Sequence, residues 1–476
     1  MLDRNFSIEK FYERKLRLKT SNSIVQDAKE ETFSRQDALE GLGESGSDNF
    51  ALNELALFIK MTDNSAENLE KILSIFSHHG INKIIHMESR KSEDEVNKSL
   101  FEIVVILVTN EMGERIATIQ DVLSLPFVVS AEELATESRN ILQFWIPRHI
   151  SDLDHCRHLE LKFNPDIQSD HPGFHDEVYR KRRQEIANLA FGYKNGDAIP
   201  RIEYNDTEKA TWKEAYTVLN SLYDEKASIE HIKGLRLLEE HCGYCPEEIP
   251  QLEDISKFLH KTTGFRLRPA AGLISPRDFL ASLAFRVFQC TQYIRHHSQP
   301  LHTPEPDCIH ELLGHMPLLT NKDFASFSQK IGLASLGVSD KELERLATLY
   351  WFTVEFGLIR EDGKIKAIGA GLLSSFGELN HALSDVPEQR PFDAKTTALV
   401  EYQDVTYQPC YFVCESLKEM KQQMKDYAKQ VKKPFQMVYD PYTENMLSLN
   451  TREGKEFIHN MMIEEIDIMT HTITIQ

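Results

Sequence analysis

Apolar residues recur at helical spacing through most of the sequence between residues 152 and 426. The clearest runs are at 178–191, 209–223, 255–261, 277–292 and 341–356. Because steps of three and four residues place side chains on one face of a helix, these runs predict amphipathic helices. Strand patterns are short and few in this region. We therefore expect a mainly α domain at residues 145–430, large enough to hold a catalytic site.

Two other patterns precede the helical region. Residues 1–48 combine Lys and Arg clusters with Ser, Thr and Gly and have little apolar periodicity, which predicts a disordered regulatory tail. Residues 49–130 carry strand patterns at 55–59, 81–87 and 101–108 and a helix pattern at 68–76. This β-α-β-β-α order predicts a small ferredoxin-like α+β domain. It has no cluster of His, Cys and carboxylates at ligand spacing, so its expected role is regulation or assembly.

The C-terminal residues 431–476 read as a β-hairpin followed by a helix. Strand patterns at 435–439 and 446–449 flank the turn-forming residues 440–443. Five apolar residues then recur at steps typical of a coiled-coil seam: Ile458, Met462, Ile466, Met469 and Ile473. The seam predicts self-association through this helix. Packing of the helix on its own domain is the alternative, because the seam is barely two heptads long.

Charge and cysteine usage exclude several classes of partner. The formal net charge is −20, whereas nucleic-acid-binding surfaces concentrate Lys and Arg, so we expect no nucleic acid partner. No run approaches 18 consecutive apolar residues, and the first 19 residues lack the apolar core of a signal peptide, which predicts no membrane span and a cytoplasmic location. The seven cysteines are odd in number and scattered, so we interpret them as reduced thiols. Cys242 and Cys245 form one CxxC pair, which we read as structural because zinc needs two further ligands.

The densest set of reactive side chains lies at residues 303–317, in the segment TPEPDCIHELLGHMP. His310 and His315 are five residues apart, so a regular α-helix would point them about 140° apart. The four-residue spacing of zinc hydrolases would place two histidines on one face. For one ion to bind both histidines, the helix must end or distort before His315. Gly314 and Pro317 supply means of ending it.

A third metal ligand is available in the apolar run at residues 350–357, which contains the single carboxylate of Glu355. Acidic residues are rarely buried unless they are paired or bound to a metal. Two histidines and one carboxylate suit non-haem iron(II). Zinc remains open, with Glu311 as the general base of a hydrolase. A buried helix with hydrogen-bonded histidines and no metal remains open as well.

Longer segments resemble the pterin-dependent aromatic amino acid hydroxylases. They include DHPGF at 170–174, IPRIEY at 199–204, TGFRLRP at 263–269, CTQYIR at 290–295 and GAGLLSS at 369–375. The resemblance implies a catalytic domain of that family's mainly α type, with iron(II) bound by His310, His315 and Glu355. It also implies tetrahydrobiopterin as cofactor and dioxygen as co-substrate. Residues 49–130 resemble the family's ACT regulatory domain, and residues 431–476 resemble its tetramerisation arm, which implies a homotetramer.

The resemblance also implies roles for individual side chains. The expected pterin-binding residues are Leu273, Ile274, Ser275, Pro276, Phe279, Glu311 and Tyr350. Glu311, Tyr350 and Pro306 are the expected catalytic residues. Arg295 is expected to pair with the substrate carboxylate, and the rest of the substrate site is expected to comprise Thr303, Asp307, Trp351, Ser374 and Asp404. Asp307 has an alternative role, which is to hold Arg295 in place.

The choice of substrate rests on the loop at residues 400–408, VEYQDVTYQ. It resembles the family members that act on tyrosine, whereas those that act on phenylalanine have an apolar residue at the position of Asp404. The resemblance thus implies hydroxylation of L-tyrosine to L-DOPA, the first step of catecholamine synthesis, with catecholamines as feedback inhibitors. Tryptophan 5-hydroxylation and phenylalanine 4-hydroxylation are the alternatives within the family. A zinc hydrolase and a non-catalytic amino acid sensor are the alternatives outside it.

Overall fold

The computed structural model describes residues 54–133, with gaps at 63–64, 80–83, 92–100 and 109–111. It also describes residues 146–463, with gaps at 160–170, 404–405, 434, 450 and 453. The chain divides into two compact units, Met1–Trp145 and Ile146–Gln476. The predicted tail at 1–48 lies outside the described residues, as do Ile466, Met469 and Ile473 of the predicted seam and Asp404 of the predicted substrate loop.

The first unit has a four-stranded antiparallel sheet with two helices. Its elements are β1 Glu54–Met61, α1 Ala66–His78, β2 Ile84–Lys91, β3 Phe101–Val108, α2 Met112–Leu123 and β4 Val128–Glu133. The strand order is β2-β3-β1-β4, the order of a ferredoxin-like sheet. Alternate residues of β1 and β3, such as Leu57, Ile59 and Val105, share one buried core with Ile72 and Phe76 of α1. The structure adds β4 to the order that the sequence predicts.

The second unit is mainly helical, as predicted. A 3₁₀ helix at Ile150–Asp154 precedes α3 Glu177–Gly192, α4 Asp206–Lys226, α5 Ile229–Cys242, α6 Leu252–Thr262, α7 Pro276–Ala284, α8 Met316–Leu319, α9 Lys322–Ser335, α10 Asp340–Tyr350, α11 Ala370–Leu373, α12 Phe376–Ala382, α13 Ala394–Thr397 and α14 Leu417–Ala428. Two π-helical segments lie at His310–His315 and Trp351–Glu355. The strands are β5 Arg266–Ala270, β6 Val287–Thr291, β7 Leu358–Glu361, β8 Lys364–Ala367, β9 Glu388–Pro391 and β10 Cys410–Cys414.

Helix α4 shows how local sequence positions the core. The Asn205 side chain accepts a hydrogen bond from the Glu208 amide, and the Glu208 carboxylate accepts one from the Asn205 amide, which completes a capping box. Trp212, Leu219 and Tyr223 recur along the buried face of the helix. Each large apolar side chain that is fully buried contributes roughly 1.5–3 kcal/mol to stability. The helix therefore begins at a defined residue and packs one face into the core.

The prediction of one helix over 277–292 was wrong in its second half. Helix α7 ends at Ala284, and Arg286 adopts a left-handed backbone with φ of 56°. The chain then enters β6, which pairs in parallel with β5. Residues 287–291 read Val-Phe-Gln-Cys-Thr, and β-branched and aromatic residues favour a buried strand. Periodicity alone does not distinguish such a run from a buried helix.

The predicted hairpin is present as β11 Met437–Asp440 and β12 Asn445–Ser448. It packs on the helical unit, since Glu444 forms an ion pair of 2.6 Å with Arg266, and the Met446 amide donates to the Arg148 carbonyl. Helical backbone follows at residues 454–463. Within the part of the chain that the structure describes, no helix has both the length and the apolar character needed to cross a bilayer.

Candidate metal and substrate site

His310 and His315 lie at the two ends of a π-helical segment. A π-helix bonds each residue to the one five positions away, so its wider turn brings these two side chains together. Their Nε2 atoms are 2.9 Å apart. The predicted distortion is present, but the prediction that Gly314 and Pro317 end the helix was wrong, because the chain continues into α8. Gly314 instead permits close packing, since a Cβ there would lie 2.7 Å from the Ala370 carbonyl oxygen.

Glu355 completes a triangle of ligand atoms with the two histidines. Its carboxylate oxygens lie 3.4 Å from His310 Nε2 and 3.2 Å from His315 Nε2. Metal–ligand bonds of about 2.1 Å at right angles would place donor atoms roughly 3 Å apart. The spacing therefore fits a single ion, and the two-histidine, one-carboxylate set suits iron(II) with open positions.

The charge and orientation of these groups also suit a cation. Burial alone would raise the pKa of Glu355, but His315 and His310 outweigh burial and hold that pKa well below its usual range. Burial lowers the pKa of His315, which favours its neutral form. Metal binding needs a neutral imidazole and an ionised carboxylate. Ser374 Oγ lies 2.9 Å from His310 Nδ1 and orients that ring.

Arg295 and Asp307 form a fully buried ion pair beside this triangle. Arg295 Nη2 donates to Asp307 Oδ1 at 2.7 Å, and its Nε donates to Oδ2 at 3.0 Å. Nη1 donates to the carbonyls of Ser374 and Pro300. Four of the five guanidinium N–H groups therefore have partners among the described residues. These contacts support the second of the two roles predicted for Asp307, which is to hold Arg295 in place.

A row of aromatic rings connects the predicted pterin-binding residues with His315. Phe279 meets Tyr350 edge to face at 5.3 Å between ring centroids, and it meets Phe288 at 5.4 Å. Phe288 in turn lies 4.7 Å from the His315 ring. Ser275 caps α7, the helix that carries Phe279. The other predicted residues of this turn are Leu273, Ile274 and Pro276, of which Ile274 is buried.

Glu311 is buried next to His310, and it accepts hydrogen bonds from the amide and hydroxyl of Thr291 at 3.1 and 3.2 Å. Burial raises the pKa of Glu311 to about 7. The carboxylate is therefore held in a fixed place on the side of the site where β6 ends. The sequence analysis did not assign a role to Thr291, although it lies in the CTQYIR segment.

Thr303, Pro306 and Trp351 are the remaining predicted site residues that the structure describes. Thr303 Oγ1 donates to the Glu305 carbonyl at 2.9 Å, and the Pro306 carbonyl accepts from the Tyr293 hydroxyl at 2.9 Å. Trp351 stacks on Tyr402 with ring centroids 4.6 Å apart. The Trp351 Nε1 donor is buried and has no partner among the described residues.

Sequence reasoning missed Phe288 and Tyr402 as well as Thr291. The run that contains Phe288 was assigned to a helix, which would not place that ring against His315. Tyr402 lies in the quoted 400–408 loop, and its nearness to Trp351 depends on tertiary packing that no local pattern carries.

The CxxC pair lies at the C-terminal end of α5. All seven cysteines are free thiols, and Cys242 is buried at the end of α5. Gly243 follows with φ of 73°, a left-handed conformation that ends the helix. Burial raises the pKa of Cys242 to about 11, so its thiol is protonated and inert near neutral pH.

Comparison with known proteins gives one family. Residues 144–474 match the model of a family described as biopterin-dependent aromatic amino acid hydroxylase. A tyrosine 3-monooxygenase of Rattus norvegicus is 60% identical over 299 residues, which are 63% of this chain and 60% of that protein. A tyrosine 3-monooxygenase of Schistosoma mansoni is 49% identical over 381 residues, covering 80% of this chain and 81% of that protein.

A phenylalanine-4-hydroxylase of Bos taurus is 45% identical over 401 residues, covering 84% of this chain and 88% of that protein. The matches to the rat and dog proteins span only 60% of the length of each of those relatives. Similarity therefore extends to relatives with two different substrates in their names.

Proposed function

This chain belongs to the biopterin-dependent aromatic amino acid hydroxylases, and on that premise we propose that it acts as a tyrosine 3-monooxygenase, converting L-tyrosine to L-DOPA. The observation that carries the proposal is the convergence of His310, His315 and Glu355 on one point, with donor atoms 2.9 to 3.4 Å apart. L-DOPA is the precursor of catecholamines. Feedback inhibition by catecholamines is part of the proposal, since their paired ring oxygens are good ligands for an iron ion.

The cofactors in this proposal are iron(II) and tetrahydrobiopterin, with dioxygen as co-substrate. His310, His315 and Glu355 would hold the iron, and the neutral His315 imidazole and the ionised Glu355 carboxylate described above fit it. The turn at residues 273–276 would bind the pterin, whose ring would lie along the wall formed by Phe279 and Tyr350. Together the two cofactors supply the activation of dioxygen for hydroxylation of the substrate ring.

The protein's own groups bind and orient the reactants. Arg295, with one N–H group uncommitted, attracts the carboxylate of an amino acid, and Asp307 prevents it from turning away. Ser374 connects the two halves of the site, because its hydroxyl contacts His310 and its carbonyl accepts from Arg295. Glu311 and Tyr350 provide polar groups on the pterin side. Thr303 and Pro306 stabilise the turn at residues 303–306 through the hydrogen bonds described above.

The stacked rings of Trp351 and Tyr402 exclude water from one side of the substrate site. Tyr402 also lies two residues before Asp404 in the 400–408 loop. We propose that Asp404 favours tyrosine over phenylalanine, as its place in the 400–408 loop implies. The tyrosine 3-monooxygenases named above support this choice, and the phenylalanine-4-hydroxylase keeps the alternative substrate open to test.

The experiment is a competition between substrates. Full-length protein is loaded anaerobically with iron(II) and then given oxygen, tetrahydrobiopterin and equal amounts of tyrosine, phenylalanine and tryptophan. L-DOPA as the main product, with a shift toward tyrosine formation in Asp404→Val, would support the proposal. Mainly 5-hydroxytryptophan, or tyrosine made from phenylalanine, would overturn the choice of substrate. Absence of any pterin-dependent product would overturn the enzymatic activity.

We further propose a regulatory role for the unit at 49–130, a homotetramer formed through residues 431–476, and a cytoplasmic location. The hairpin and the apolar side chains that begin the seam, Ile458 and Met462, support the assembly. Seven free thiols suit a reducing compartment. A chain truncated after residue 451 should elute as a smaller species than the full chain in size-exclusion chromatography with light scattering. An unchanged tetramer would contradict this part.

A further inference from the structure

A second cluster of metal-ligand side chains lies outside the triangle of His310, His315 and Glu355. Asp176, His296 and His297 place one potential ligand atom each within 4.8 Å of one another. Asp176 is the N-cap of α3, while the two histidines come from the loop directly after Arg295. We propose that these three residues form a binding site for a divalent cation of the zinc class. None of them takes part in the hydroxylation proposed above.

The first two ligands are already oriented by other contacts. Asp176 Oδ1 accepts the capping hydrogen bond from the Tyr179 amide at 2.9 Å, and Oδ2 faces His296 Nε2 at 3.3 Å. On the other side of the ring, Ser298 Oγ lies 2.8 Å from His296 Nδ1 and can accept the proton that Nδ1 carries when Nε2 binds a metal. A histidine that binds a metal characteristically donates a hydrogen bond from its second ring nitrogen.

The His296 ring is also fixed in place by burial and packing. Only 8% of the residue is exposed, and the edge of the Tyr179 ring lies against it at 5.0 Å between centroids. The His297 ring is 4.3 Å from the His296 ring, and it is exposed to solvent. A cation can therefore approach from solvent and meet one preoriented imidazole, one preoriented carboxylate and one adaptable imidazole.

The ligand types select the class of ion. Two imidazoles and one carboxylate suit zinc and similar transition metals, whereas calcium and magnesium prefer six or more oxygen ligands. Tetrahedral zinc bonds of about 2.1 Å place donor atoms roughly 3.4 Å apart. The Asp176–His296 distance already meets this spacing, and His297 closes the remaining gap by side-chain rotation. Water fills the fourth position.

Zinc bound at this site should also affect substrate binding by Arg295, an expectation that rests on the proposed function. Arg295 immediately precedes His296, and its backbone amide donates to Asp307. When His296 and His297 bind a cation that is also bound by Asp176 at the start of α3, the backbone next to Arg295 should move. Zinc bound here should therefore raise the KM for L-tyrosine severalfold with a smaller effect on kcat.

The binding test uses the full-length, iron-loaded protein under anaerobic conditions. Zinc is added alone, and bound zinc and iron are both counted after desalting. Asp176→Asn removes the charged ligand but keeps a good helix cap, and His297→Ala removes the exposed imidazole. His241→Ala is the control, because His241 is an exposed histidine outside the cluster.

We expect one zinc per chain without loss of iron, at least about tenfold weaker binding in both cluster variants, and unchanged binding in His241→Ala. Zinc binding of parental strength in both cluster variants would overturn the site, as would zinc that binds only when iron leaves. If binding behaves as expected but zinc leaves the KM unchanged, the coupling to Arg295 is wrong. If the protein does not hydroxylate tyrosine at all, the proposed function is refuted. The zinc site is then tested by the number of zinc ions bound per chain in the parent and the variants.

Discussion

The Tyr223 hydroxyl donates a 2.6 Å hydrogen bond to the Leu373 carbonyl oxygen, 150 residues away in the chain. Both residues are fully buried. Leu373 directly precedes Ser374, whose hydroxyl contacts His310 and whose carbonyl accepts from Arg295. Helix α4 therefore fixes the segment at which His310 and Arg295 meet.

Tyr223→Phe should weaken both functions of that segment while leaving the aromatic packing intact. The substitution leaves the Leu373 carbonyl buried and unpaired, which costs about 1–3 kcal/mol. We expect a severalfold higher KM for L-tyrosine together with faster loss of iron to a chelator. Steady-state kinetics and chelator-monitored iron release measure the two effects.

Tyr216→Phe is the matched control for this variant. Tyr216 lies on the same helix, but its hydroxyl donates to Glu239 and not, among the described residues, to the Ser374 segment. If both variants change KM and iron release equally, the effect is a general loss of stability and the positioning role of Tyr223 is wrong.

Glu355→Gln should distinguish a role of Glu355 in metal binding from the general effect of removing a buried carboxylate. Glu355→Gln should lower iron affinity by about 100-fold or more, because loss of a supporting residue alone costs about 10- to 100-fold. Glu378→Gln is the control, since Glu378 is a buried carboxylate that accepts from Tyr411 and Gln408, away from the triangle. Iron per chain after desalting is the measurement. Equal iron retention in the two variants would contradict the assignment of Glu355 as a ligand.

Much of the site could be predicted because its residues are close together in the sequence. His310 and His315 lie at the two ends of one π-helical segment, and their five-residue spacing indicated that a regular helix could not point both at one ion. The spacing did not indicate which distortion occurs. A helix that ends before His315 and a π-helix would each allow both histidines to point at one ion. The π-helix comes with close packing of Gly314 against Ala370, a tertiary contact that the local sequence does not indicate.

The strands of the helical unit were harder to predict. Residues 287–291 are buried on all sides, so they have no alternation of polar and apolar residues to mark a strand. Only the pairing of β6 with β5 identifies them, and that pairing joins residues about 20 positions apart. The contacts of Phe288 with His315 and of Thr291 with Glu311 follow from this strand and were missed for the same reason.

Arg295→Lys should show what the planar guanidinium contributes. A lysine ammonium cannot donate in the fork geometry to Asp307 while also reaching the Ser374 carbonyl. We expect the KM for L-tyrosine to rise about 10- to 100-fold, with a smaller fall in kcat. Arg268→Lys is the control, because Arg268 is another buried arginine, paired with Asp154. An equal change of KM in the two variants would show that the effect is not specific to the substrate site.

The buried imidazole of His231 should make the protein less stable in mild acid. Both ring nitrogens lack partners among the described residues, and burial lowers the pKa to about 3. The folded state therefore excludes a proton that the unfolded state binds below about pH 6.5. The contribution to stability is complete above that pH and is lost as the pH falls toward 3. Between pH 7.5 and 5.5 the loss in the free energy of unfolding is about 1.4 kcal/mol.

His231→Phe should remove this part of the pH dependence of urea unfolding, whereas His241→Phe, at an exposed site, should leave it unchanged. If the free energy of unfolding changes with pH equally in the parent and in His231→Phe, His231 is not the cause of the acid sensitivity.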